Sequence, residues 1–114
     1  MEKIEAAPGG DISAEVVVPY SSPWFSGHFP GNPVLPAIAQ LAIVLDVAAK
    51  AYGRELTPKA VNRTKYRKII RPGETVNIVL SPVAGKAMTY SFQLAVDEEI
   101  ACKGAITTET ANRR

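Results

Sequence analysis

The stretch Ala37–Tyr52, AIAQLAIVLDVAAKAY, decides the fold of this chain. Pro36 stands at its entrance and Gly53 follows it. Proline suits the start of a helix, where its missing N–H is one the first turn leaves unpaired. Glycine suits the end, because it accepts the left-handed conformation of the C-terminal cap. Between these limits the residues are apolar almost all the way round, interrupted by Gln40 and Asp46. A helix of that kind has to be wrapped on most sides by other structure. A chain of 114 residues fits one domain with a modest core, so the wrapping must be a sheet drawn from the flanking segments.

Those segments supply strands. Upstream, Ile12 to Pro19 places Ile12, Ala14, Val16 and Val18 on one side and predicts a strand. Residues 1–11, with Pro8, Gly9 and Gly10, read as a loose lead-in. Tyr20 to Pro36 contains Pro23, Pro30, Pro33 and Pro36, which no regular element accommodates, and reads as a long structured loop of the functional kind. Downstream, strands are expected over Ala60 to Ile70, Glu74 to Pro82, Ala87 to Val96 and Ile100 to Thr108. They are separated by turns at Pro72-Gly73, Gly85-Lys86 and Asp97-Glu98-Glu99. The order is strand, loop, helix, then a meander of four strands. It predicts a single α+β domain over residues 1–114, an antiparallel sheet of about five strands wrapped around one central helix, which is the hot-dog arrangement.

Bulk properties narrow the function. The chain is 46% hydrophobic and 21% charged, an ordinary globular composition, and its net charge of +2 is too small to imply nucleic acid. One cysteine, Cys102, excludes an internal disulfide and offers no metal cluster; its strand-like setting suits a buried, inert thiol in a reducing, cytoplasmic environment. Residues 1–10 lack the apolar segment of a signal peptide. The longest apolar run, Val34 to Ala49, is interrupted and falls short of the roughly 20 residues that span a bilayer. A soluble protein is expected.

The chemistry is concentrated in Trp24 to Ala37, WFSGHFPGNPVLPA. His28 is the single histidine. Such a residue is often a packed bystander, but here Gly27 and Gly31 allow close backbone approach, prolines stiffen the loop, and the loop runs into a helix N-terminus. Imidazole is the one side chain whose unperturbed pKa lies near neutrality, so it can take a proton from carbon or oxygen. The N–H groups from Ala37 onward can donate to a thioester carbonyl as negative charge develops, although capping or solvation is the commoner fate of a helix end. Trp24, Phe25 and Phe29 either line an apolar binding tunnel or pack in the core or an interface. Arg63, Lys65 and Arg67 share one strand face by alternation. They either steer an acidic partner or form a solvated, aggregation-resistant sheet edge.

GHFPGNPVLPAI, residues 27–38, resembles the GHFPGxPxxPGV signature of 3-hydroxyacyl-carrier-protein dehydratases. It is closest to the short dehydratase-like proteins of aryl polyene clusters. KYRKIIRPGE, from Lys65 to Glu74, is similar to the KFRRPVxPGD stretch of that family, and the likeness runs in order from Tyr20 to Gly104. The resemblance implies that His28 is the catalytic base and that the Ala37 N–H polarises the thioester carbonyl. Gly31 and Pro36 then belong with the aromatic residues on the substrate side, and no cofactor or metal is needed. The partner is an acyl carrier protein bearing a phosphopantetheine-linked chain. The family acid, fourteen residues after the histidine, falls on Ala42, which can neither hold nor protonate a leaving hydroxyl. Asp46, one helical turn further, either substitutes for it or pairs with Lys50. Gln40, nearly opposite Ala42 on the helix, is expected to meet the sheet or an interface. In this family the site spans a dimer interface. The readings left open are a homodimeric dehydratase, a heterodimer whose partner carries the acid, and a subunit that binds acyl thioesters without dehydrating them. Thioester hydrolysis is disfavoured by the GHFPG loop.

Overall fold

The computed structural model describes residues 2–6, 10–19, 21, 35–53 and 55–110. They form β1 (Glu2–Ala6), β2 (Ile12–Val17), α1 (Ala37–Tyr52), β3 (Leu56–Tyr66), β4 (Thr75–Pro82), β5 (Thr89–Val96) and β6 (Glu99–Thr110). The strands make one antiparallel sheet in the order β1-β2-β4-β5-β6-β3. One helix against this sheet gives the α+β hot-dog fold.

The helix has the limits its sequence predicts. Pro36 is extended at the N-cap, with φ −61° and ψ 154°, and Gly53 closes the helix in the left-handed region at φ 69°, its N–H bonded to the Ala49 carbonyl. Ala39, Gln40, Val44, Val47 and Ala48 are buried. They meet a core built by alternation: Ile12, Ala14 and Val16 of β2, Val76, Ile78 and Leu80 of β4, Phe92, Leu94 and Val96 of β5. The wrapping is narrower than the sequence implies. Ala42, Leu45 and Ala49 are only half-buried, and Ile38, on the same stripe, is 70% exposed.

Three expectations need correcting. Part of the lead-in is a strand: β1 pairs with β2 from Glu2↔Val16 to Ala6↔Ile12, raising the sheet to six strands. The third strand begins at Leu56 and ends at Tyr66 instead of running from Ala60 to Ile70. Pro58 does not break it, because β3 is an edge strand and can spare one N–H, at a register shift between Pro58 and Ala60. Beyond Tyr66 the N–H groups of Arg67 and Lys68 both donate to the Ala101 carbonyl, and the chain leaves the sheet. Finally, alternation fails within β3. Asn62 pairs with Ala105 and Lys65 with Lys103, so two residues, Arg63 and Thr64, stand opposite Gly104. This is a β-bulge, with Arg63 at φ 53°.

Candidate active site

The start of α1 is held from two sides. Leu35 donates its N–H to the Ile70 carbonyl at 2.7 Å, and the Gln40 side-chain amide donates to the Leu35 carbonyl at 3.2 Å. The Pro36 carbonyl accepts from Ala39 and Gln40, and no side chain caps the helix. The N–H groups of Ala37 and Ile38 therefore have no partner among the described residues. They sit where the helix dipole is positive, an arrangement suited to a carbonyl gaining negative charge. A hollow of about 370 Å³ opens here, lined by Pro36, Ala37, Gln40, Tyr66, Arg67 and Ile69, among others. Ala37 is exposed at this hollow.

Gln40 is the residue whose part at this site sequence reasoning missed. It is buried, and its Oε1 has no hydrogen-bond partner among the described residues. The expectation that it meets the sheet side holds, but its role in fixing the helix entrance depends on the Leu35 carbonyl, which spacing does not reveal.

Ala42 lies on another side of the helix, in a crevice of about 320 Å³ shared with Leu45, Asp46, Ala49, Glu55, Leu56 and Thr57. Asp46 borders the same crevice, but its carboxylate is 3.0 Å from the Lys50 ammonium, the i,i+4 pair that was the alternative reading. Both side chains are half-exposed, which makes the pair weak and easily opened.

The basic residues separate. Arg67 lies at the hollow beside the helix start, next to Lys68, whose ammonium is 3.3 Å from Glu99. Arg63 and Lys103 line a different hollow on the outward face of the sheet, and Lys65 is registered opposite Lys103. The bulge is the reason Arg63, Lys65 and Arg67 do not form the simple row that alternation predicts. Cys102 is fully buried, and burial pushes its thiol up to about 11, so it stays protonated at neutral pH. Burial and the nearby Cys102 also raise the Tyr66 phenol. His28, Trp24, Phe25, Phe29 and Gly31 lie outside the described residues.

A six-stranded antiparallel sheet holding one helix, with an uncapped helix start at a hollow, defines the hot-dog class. The family model for ApeI-like dehydratases matches residues 4–105, and the chain belongs to that family. It is 33% identical over 116 residues to the 3-hydroxyacyl-[acyl-carrier-protein] dehydratase FabZ of Rickettsia bellii, covering 91% of this chain and 79% of that one. The FabZ of Levilactobacillus brevis is 30% identical over 112 residues, at 90% and 76% coverage. Among solved structures, the dehydratase heterocomplex ApeI:P of Xenorhabdus doucetiae superposes with a TM-score of 0.82 at 23% identity, over 95% of this chain and 96% of that one. A hypothetical thioesterase of Streptococcus pneumoniae with coenzyme A gives 0.69 at 15% identity, over 100% and 88%, a likeness of fold alone. No helix among the described residues is long and apolar enough to cross a membrane.

Proposed function

We propose that this chain is a subunit of a dehydratase that removes water from 3-hydroxyacyl thioesters on an acyl carrier protein to give trans-2-enoyl thioesters. The observation that carries the reading is the start of α1, where no side chain caps the helix, the Ala37 and Ile38 N–H groups have no partner among the described residues, and the entrance is anchored to Ile70. The thioester carbonyl accepts from the Ala37 N–H. His28 removes the proton alpha to that carbonyl, the negative charge on the carbonyl oxygen returns to form the C2–C3 double bond, and the C3 hydroxyl leaves with a proton as water. Trp24, Phe25, Phe29, Gly31 and Pro36 belong to the acyl-binding side, and of the three cations Arg67, at the hollow beside the helix start, faces the acidic carrier. The proton for the leaving hydroxyl comes from a protonated carboxyl group, which Ala42 cannot supply.

A second chain is the favoured source of that carboxylate, because Asp46 already holds Lys50 at 3.0 Å. Two features support a partner: β3 is the edge strand of the sheet with no neighbour on its outer side among the described residues, and Ile38, Val61, Tyr66 and Ile69 are large apolar residues left exposed on β3 and around the helix start. The heterocomplex among the structural relatives fits the same reading.

Dehydration and hydration of a short thioester by the purified chain, followed by absorbance, tests this. The chain alone is expected to be slow, and Ala42→Glu to raise its rate, by a factor on the order of 100 if the acid is the missing part. His28→Ala should remove the gain. A rate indifferent to His28→Ala sinks the proposal; full activity of the wild-type chain, lost in Asp46→Asn, moves the acid to Asp46.

A further inference from the structure

The bulge in β3 decides which side of the sheet Tyr66 stands on. Val61 is registered opposite the buried Ile106, and unbroken alternation from there would turn residue 65 inward and Tyr66 outward. The extra residue at Arg63 and Thr64 reverses this: Lys65 falls opposite Lys103, and Tyr66 opposite Cys102. Register carries that inward row across the sheet through Ala14, Ile78, Leu94 and Cys102, all of them buried. Tyr66 ends the row on the edge strand, 46% exposed, and is its one member with a hydroxyl. It lines the hollow beside the helix start together with Ala37 and Gln40. Other polar groups around this hollow are engaged: the Gln40 amide donates to the Leu35 carbonyl, and the Lys68 ammonium is held by Glu99. The Tyr66 hydroxyl has no hydrogen-bond partner among the described residues. Nor has the buried Oε1 of Gln40 in the same wall, as in a site that a bound molecule completes.

We infer that the Tyr66 hydroxyl is a second hydrogen-bond donor to the substrate's thioester carbonyl, acting beside the Ala37 N–H. The inference rests on the proposed reading of the helix start and adds a catalytic residue to it. As His28 takes the proton alpha to the carbonyl, the C–H electron pair moves into the C1–C2 bond and the carbonyl π pair moves onto oxygen. That oxygen accepts from the Ala37 N–H and the Tyr66 O–H, and neither donor gives up its proton. The charge returns as the C3 hydroxyl leaves. Burial and the nearby Cys102 raise the phenol above its ordinary value, so at neutral pH it stays a neutral donor. The bulge thus re-aims one side chain from the outer face of the sheet to the site.

Infrared difference spectra of a saturated acyl thioester, isotope-labelled at its carbonyl carbon and bound to the chain, test this, because each donor lowers the carbonyl stretch. Two variants separate the inference from the reading beneath it. Ala37→Pro removes the N–H at a first helical position, which proline suits. Tyr66→Phe removes one hydroxyl and keeps the ring, so thermal unfolding should not change. Each variant is expected to raise the stretch of the bound carbonyl. Each should also slow exchange of the alpha protons with heavy water, Tyr66→Phe by a factor on the order of 10. That exchange needs a base and carbonyl donors but no acid, so the chain can be assayed without a partner. A stretch raised by Ala37→Pro but indifferent to Tyr66→Phe overturns the role of Tyr66 and leaves the helix start in place. No bound carbonyl band, or one indifferent to both variants, overturns the two together.

Discussion

At Gly104 one added methyl group would meet the Thr64 hydroxyl at 2.7 Å, the Thr64 Cα at 2.9 Å and the Phe92 ring at 3.0 Å. Two of these neighbours cannot swing aside, because one is backbone and the other is a buried core ring. The bulge at Arg63 and Thr64 thus depends on a bare position across the sheet. Gly104→Ala is expected to cost about 2 kcal/mol, seen as a fall of about 10 °C in Tm by calorimetry. Cys102 carries the pH dependence at this scale. Its thiol is held protonated up to about 11, above the ordinary value of 9.0, so its contribution to stability is complete below about 9 and is lost as pH rises toward 11. Denaturant titrations between pH 8 and pH 11 should show a loss on the order of 2 kcal/mol that Cys102→Ala flattens. At neutral pH the native protein should leave this thiol unmodified by a water-soluble reagent until it unfolds. Ala42 stood out only through the resemblance, which puts the family acid fourteen residues after His28. The part Gln40 plays was not legible, because its bond to the Leu35 carbonyl depends on how the chain enters the helix.

Elements differ in how much of them local signals fix. The helix was legible to the residue because Pro36 and Gly53 act through their own backbone chemistry. Gly53 is left-handed at φ 69° with open space around it, so Gly53→Ala meets only conformational strain. About 1 kcal/mol of stability should be lost, measurable as a shift in the urea midpoint without a change in slope. The β5–β6 hairpin was expected with a turn over Asp97-Glu98-Glu99, but the turn is one residue shorter: Asp97 and Glu98 both take positive φ between the paired residues Val96 and Glu99, as a two-residue turn of the primed type requires. Edge strands were harder. Short β1 is followed by Pro8-Gly9-Gly10, and β3 contains Pro58 and a bulge, so neither keeps the uninterrupted alternation that marks a strand. Their pairing comes from neighbours far along the chain, β2 for one and β6 for the other.

For the whole molecule, the helix stripe of Ile38, Ala42, Leu45 and Ala49 and the free edge of β3 mean that one chain buries its apolar residues incompletely. Ile38→Lys is expected to weaken association through this side while leaving the thermal unfolding of the separated chain nearly unchanged, because Ile38 is already 70% exposed. Light scattering and calorimetry on the same samples would separate the two effects. The clamp at the helix entrance has a consequence for how such a protein can diversify. Leu35 is tied forward to Gln40 and across to Ile70, so the donors at Ala37 and Ile38 are fixed by the frame behind them. On the proposed function, substitutions at Trp24, Phe25 and Phe29 are then expected to retune which chains are accepted while the donors at Ala37 and Ile38 stay where they are. Selectivity and carbonyl polarisation would vary independently.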